Sequence, residues 1–210
     1  RGEDSPLVIA GGTCTMNPEP MADFFDLFVL GEGEEVALEL LECYRSWKAG
    51  GREGKEGFLR RAAAIPGIYV PAFYHVDYLP DGTIGAIRPA AAEAPPRVAR
   101  RWVRRLPPPP VRPVVPFMDI IHDRAAIEVQ RGCTRGCRFC QAGIVYRPPR
   151  ERSQEEILEA AEKILRNTGY GELSLLSLST SDYSRLEPLV QELMGRYQQR
   201  SLAISLPSLR

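Results

Sequence analysis

The sequence predicts an α/β protein in two parts joined by a proline-rich connection. Three observations carry this expectation. Short apolar runs of strand length alternate with segments of helical period. Nine prolines fall within residues 89–116, four of them consecutive at 107–110. Three of the five cysteines crowd into eight residues, Cys133, Cys137 and Cys140, directly after an apolar run. A 210-residue chain with 44% hydrophobic and 26% charged residues has the composition of a globular protein. It contains no run of about 18 apolar residues that would suit a membrane helix, and no secretory leader at its start. The expected setting is therefore cytoplasmic, with no membrane partner and reduced thiols.

Residues 7–10 form a continuous apolar run closed by Gly11 and Gly12, read as a buried strand and a tight turn. Residues 24–30 make a second such run, closed by Gly31 and Gly33. Val36, Leu40, Cys43, Tyr44 and Trp47 then fall on one helical face, with Glu34 and Glu35 at the positive end of the dipole. Residues 48–57, rich in glycine and charge, read as a loop. Residues 68–79, with Asp81 and Gly82 before Thr83 and Ile84, read as a β-hairpin or an extended excursion. The proline-rich stretch excludes helix and sheet interior and suits a semi-rigid linker. Beyond it, residues 125–129 read as a strand, and Ser153 with Glu156 makes a capping box. The helix it opens places Ile157, Ala161, Ile164 and Leu165 on one face and stops at Gly169. Residues 173–178 form the next strand. Leu186, Leu189, Val190, Leu193 and Tyr197 mark a further helix with Pro188 in its first turn, and residues 202–206 the last strand. The expected divisions are 1–60, 61–118 for hairpin and linker, and 119–210. Because the alternation stops after three strands and the first residue is Arg1, the chain is expected to be an internal piece of a longer protein.

Formal charge is zero, but it is not evenly spread. Residues 1–44 carry ten acids and one base, and residues 97–152 carry thirteen arginines and four acids. Such asymmetry suits an anionic partner such as RNA. Yet 24 of the 27 basic residues are arginine, which suits a composition bias. RNA is therefore not the favoured partner. The arginines at 97, 100, 101, 104 and 105 are expected to pair with acidic surface of the N-terminal domain or stay solvated.

The cysteines have the spacing C-x3-C-x2-C, with Gly132 and Gly136 giving the backbone freedom to wrap a bulky centre. A cubane iron–sulfur cluster normally takes four cysteines, so three leave one iron open. Structural zinc wants four closed ligands. Cys14 and Cys43 are remote in sequence, and His122 is the nearest histidine. A loop after a parallel strand lies where active sites gather in β/α barrels.

The segment 128–143 (EVQRGCTRGCRFCQAG), with aromatic Phe139 just before the last cysteine, closely resembles the radical S-adenosylmethionine superfamily. The resemblance implies a 4Fe–4S cluster on Cys133, Cys137 and Cys140, and S-adenosylmethionine chelating the open iron. It implies reductive cleavage to methionine and a 5′-deoxyadenosyl radical acting on an unassigned substrate, with a reductant such as flavodoxin or ferredoxin. It also implies that Phe139 approaches the adenine. The family's Gly-Gly-Glu-like segment after the second barrel strand reads Ser179, Thr180, Ser181 and Asp182 here, a departure from the pattern. Ser179, Thr180 and Ser181 are its candidates for holding the methionine amino group.

The first part, through Gly11, Gly12, Asn17, Pro18 and the run ending at Gly31–Glu34, is similar to the closing strands of the cobalamin-binding-type domain that precedes the barrel in one branch of these enzymes. The implied fold is thus the C-terminal part of a Rossmann-like domain, the linker, and the first half of a radical S-adenosylmethionine β/α (partial TIM) barrel. The resemblance allows cobalamin, but the Asp-x-His-x-x-Gly ligand motif does not occur in these residues, so nothing here supports it. Gly31 and Gly33 lack the third glycine of a dinucleotide fingerprint, and the glutamates beside them would repel a pyrophosphate. Two other functions stay open on the residues themselves: a non-catalytic iron–sulfur electron carrier, and a zinc-bearing RNA-binding module.

Overall fold

The structure is a computed structural model. It describes every residue except Arg1, Glu3, Asp4, Arg52, Asp119 and Arg210. The chain divides into two compact units, Arg1–Val103 and Arg104–Arg210, and the division falls inside the proline-rich stretch. Among the described residues no helix is long and apolar enough to cross a membrane.

In the first unit, β1 (Ile9–Ala10) lies parallel to β2 (Leu27–Val29). Helices α1 (Gly33–Ala49) and α2 (Gly54–Ala63) follow, and β3 (Ile68–Tyr69) returns antiparallel to β2. The expected loop at 48–57 is thus only a short break, because α2 begins at Gly54. Two glycines in its first four residues mask its period. Burial of Phe58, Leu59, Ala62 and Ala63 supplies the stability that propensity does not. Gly57 has a local reason: a Cβ there would come within 2.6 Å of the Glu53 Cβ. The β1 strand is shorter and more exposed than its apolar run suggests. Ile9 is 42% exposed, since it faces an open apolar cleft of about 990 Å³ lined also by Val36, Leu40, Tyr44, Trp47 and Phe58. Tyr44, Trp47 and Phe58 have ring centroids 5.5–5.8 Å apart, and the Trp47 indole N–H donates to the Gly54 carbonyl at 3.0 Å. The hairpin β4 (Tyr74–Tyr78) with β5 (Ile84–Pro89) forms within the expected region, but Ile68 and Tyr69 at its expected start pair with β2 instead.

The start of the linker is bound into this unit. The Arg101 N–H donates to the Leu30 carbonyl at 2.8 Å, and its own carbonyl accepts from Glu32 at 3.0 Å. A Cβ on Gly31 would lie 2.1 Å from the Arg101 oxygen, and Gly31 has φ +103, so this approach needs glycine. The Arg101 guanidinium pairs with Glu35 and Glu39, and the buried Glu32 carboxylate accepts from the Val103 N–H at 2.8 Å. Of the arginines expected to do so, Arg101 thus meets the acidic surface of this unit, whereas Arg105 pairs with Glu156 of the second unit.

In the second unit, β6 (Ala125–Glu128) is followed by an antiparallel pair, β7 (Gln130–Arg131) and β8 (Arg150–Glu151), with α3 (Ala142–Val145) between them. Then come α4 (Gln154–Thr168), β9 (Glu172–Leu176), α5 (Leu186–Tyr197) and β10 (Ala203–Ser205). Strands β6, β9 and β10 form one parallel sheet in the order β10-β9-β6. Ile127, Val129, Ile157, Ala161, Ile164, Leu173, Leu175, Leu189 and Leu193 fill its core. The Ser153 hydroxyl accepts from the Glu156 N–H at 3.1 Å and the Glu156 carboxylate from the Ser153 N–H at 3.2 Å. Gly169 closes α4 in the left-handed conformation, φ 75.

Ser153→Ala removes an N-cap and should lower the stability of the second unit by about 1 kcal/mol in chemical denaturation. Phe58→Ala empties a fully buried ring site. It should cost about 3–5 kcal/mol, read as a large loss of protection in the first unit.

Candidate functional site

The cysteine loop begins at the C-terminal end of β6. Pairing with β9 runs from Ala125 opposite Leu173 to Glu128 opposite Leu176, and the Val129 N–H extends it to the Leu176 carbonyl at 2.9 Å. The β7–β8 pair then closes residues 132–149 into a loop with a neck. Gly132, at φ +85, sits in that neck. A Cβ there would stand 2.5 Å from the Tyr146 carbonyl oxygen and 3.1 Å from that of Pro148. Buried Arg150 donates to the Pro148 carbonyl at 3.0 Å. Arg152, 5% exposed, donates to the Glu128 carbonyl at 2.7 Å, while the Glu128 carboxylate takes a bidentate pair of bonds from Arg131 at 2.8 and 2.9 Å. Burial pulls the Arg152 guanidinium below its ordinary value, opposed by the Glu128 charge.

Within the loop Cys133 is buried, and Cys137 and Cys140 are half-buried; all five cysteines of the chain are thiols. The Arg135 N–H donates to the Cys133 sulfur at 3.4 Å, and the Gly143 N–H to the Cys140 sulfur at 3.3 Å. Between residues 132 and 149 there are three arginines and no acid. Phe139 is 92% exposed. Among the described residues no three cysteine, histidine or acidic side chains converge on a single-ion site. A cubane cluster is bulkier than one ion, and its thiolates stand farther apart. Three thiols on one cationic loop, two of them already bonded by backbone amides, fit such a cluster in their chemistry.

The segment after β9 lies at the same end of the sheet. Ser179 and Thr180 are buried and Ser181 is exposed. Their hydroxyls have internal partners: Ser179 Oγ donates to Asp182 at 2.7 Å, and Thr180 Oγ1 to the Leu175 carbonyl at 3.3 Å. The Thr180 N–H donates to the Ser208 carbonyl at 2.9 Å. Asp182, not among the candidates read from the sequence, accepts from Arg135 through Nε at 2.9 Å and Nη2 at 2.5 Å. That carboxylate holds the Arg135 guanidinium above its ordinary value. An acid just past one strand end and an arginine inside C-x3-C were both visible as letters; only the strand register brings them together. Tyr183 follows, donating to the Arg152 carbonyl at 3.0 Å, with burial pushing its hydroxyl up to about 12.

The other cysteines and the histidines have settings of their own. Cys14 is exposed in a 3-10 turn (Thr13–Met16). Cys43 packs on α1, where burial pushes its thiol up. His75 faces Asp77 at 3.2 Å, and His122 contacts Arg124 at 2.8 Å. The apolar cleft of the first unit contains none of the cysteine-loop residues.

Comparison with known proteins adds a family. Residues 1–71 match the model of the N-terminal region of radical SAM proteins, where SAM is S-adenosylmethionine, and residues 127–210 match the radical SAM superfamily model. An uncharacterised protein of Methanocaldococcus jannaschii is 25% identical over 192 residues, 90% of this chain and 35% of its own length. The chain therefore spans about a third of the curated relative it matches. The solved structure of the radical S-adenosylmethionine methyltransferase TsrM from Kitasatospora setae, with cobalamin and a 4Fe–4S cluster bound, aligns at a TM-score of 0.49. Its identity is 16%, over 92% of this chain and 35% of that one. Two models of one superfamily span well over half of the sequence, and the second begins on the strand that feeds the cysteine loop. The chain belongs to the radical SAM superfamily.

Proposed function

We propose that the protein is a radical S-adenosylmethionine enzyme of unassigned substrate, with Cys133, Cys137 and Cys140 as the protein ligands of a 4Fe–4S cluster. The observation that carries this reading is the three-thiol, acid-free loop at the C-terminal end of β6, within the matched superfamily segment. When bound, the cluster would supply the electron that cleaves the sulfonium of S-adenosylmethionine to methionine and a 5′-deoxyadenosyl radical. The chain's own contributions are separate from that chemistry. The Gly132 neck and the Glu128–Arg131–Arg152 network hold the loop on the sheet. The Arg135 and Gly143 amides donate to the Cys133 and Cys140 sulfurs and so help fix their positions. Three cysteines leave one iron for S-adenosylmethionine. Backbone carbonyls of residues 179–181 and the ring of Phe139 are the groups we assign to its amino group and adenine.

The parallel β6–β9–β10 order with α4 and α5 as crossovers supports reading residues 119–210 as the opening of a β/α barrel. Residues 1–60 carry the reading of a Rossmann-like domain of the cobalamin-binding type, and no step is assigned to cobalamin. Reduced thiols suit a cytoplasmic setting with a flavodoxin- or ferredoxin-type reductant.

Anaerobic reconstitution tests the assignment. Each of Cys133→Ala, Cys137→Ala and Cys140→Ala should lose the cluster and 5′-deoxyadenosine formation. Cys43→Ala should keep both, at a packing cost of about 1 kcal/mol. A full cluster in Cys137→Ala, or zinc alone in the wild type, would defeat the proposal. A cluster that never cleaves S-adenosylmethionine would favour an electron carrier. Gly132→Ala should lower stability by at least about 1–2 kcal/mol, the cost of a left-handed non-glycine residue, and reduce the iron incorporated per chain.

A further inference from the structure

The cysteine loop is held at two places. One is its neck. The other is a bidentate ion pair at its crown, where Arg135, midway between Cys133 and Cys137, meets Asp182. The Asp182 side chain is 13% exposed and that of Arg135 52%, so water screens the pair from one side. Asp182 is itself fixed. It ends the 3-10 turn Thr180–Asp182, accepts the Ser179 hydroxyl, and sits on a turn anchored by the Thr180 N–H to Ser208. Arg135 ties three things together. Its side chain reaches the segment after β9. Its N–H lies on the Cys133 sulfur, and its carbonyl accepts from Arg147 at 3.4 Å in the far limb of the loop. A guanidinium fork gripping both carboxylate oxygens fixes orientation as well as distance, which an ammonium does not.

We propose that Arg135 and Asp182 are a positioning pair for the iron–sulfur cluster. They hold the Cys133–Cys137 segment in a ligand-ready form and keep an N–H bond and a guanidinium charge beside its sulfurs. The inference rests on the cysteine assignment made above. Hydrogen bonds to sulfur and nearby positive charge favour the reduced cluster, so their loss lowers its potential.

The test uses the full-length protein as wild type, Arg135→Ala, Arg135→Lys, Asp182→Asn and the Arg135→Ala/Asp182→Asn double variant. In metal-free protein, amide exchange across residues 132–141 should quicken on the order of fivefold in Arg135→Ala and in Asp182→Asn. The double variant should be no faster than either single one, because both remove one interaction. In reconstituted protein, Arg135→Ala should have a more negative cluster potential, and Arg135→Lys should recover part of the shift. Unchanged exchange, additive effects, or a wild-type potential in Arg135→Ala would overturn the pair. If the wild type itself builds no cluster, the cysteine assignment fails first. Uncoupled variants that still carry a cluster would overturn the positioning role alone.

Discussion

The site depends on one register. Four residues of β6 face four of β9 in parallel, Ala125 on Leu173 through Glu128 on Leu176. Parallel pairing forces both chains to leave the sheet at the same end, so the cysteine loop and the segment 177–182 emerge as neighbours. A slip of one residue would turn Ile127 and Leu175, both fully buried, toward the opposite face. The apolar core of α4 and α5 packed on this sheet thus sets the meeting of Arg135 with Asp182, although neither residue belongs to that core.

Charge is used differently at the base and at the crown of the loop. At the base, Arg150 and Arg152 are buried, and their guanidinium groups are spent largely on backbone carbonyls of the neck and of Glu128. A buried cation with hydrogen-bonded partners is costly to disturb, since removing a partner leaves the charge uncompensated. At the crown the arginines are exposed, with no acid inside the loop to neutralise them. The base is therefore buried framework, whereas at the crown Arg135 is exposed and takes its acid from outside the loop, Asp182.

The first unit shows the same economy around glycine. Gly31 admits the backbone of Arg101 at a distance no side chain allows, and the Arg101 guanidinium then reaches Glu35 and Glu39 on α1. The proline-rich stretch, unable to form a ladder of its own, begins as a strap bonded to the sheet through Leu30, Glu32 and Val103. Its entry is held by these few bonds and not by a regular element.

Features that depend on near neighbours were legible in the residues alone. The Ser153–Glu156 capping box and the Gly169 stop are local chemistry, and each is found where the letters place it. The alternation of strands and helices after the linker was legible for the same reason. Helix α2 was not, because Gly54 and Gly57 break its period and its stability comes from burying Phe58 and Ala62 against residues elsewhere in the chain. The exposure of Ile9 was equally hidden, since an apolar run does not say whether its second face is covered. Asp182 stood in plain view as the last residue of a candidate segment, yet its partner is 47 positions away. That pairing follows from the folded sheet, because sequence reports what a side chain is, while the strand register sets which other side chain it can reach.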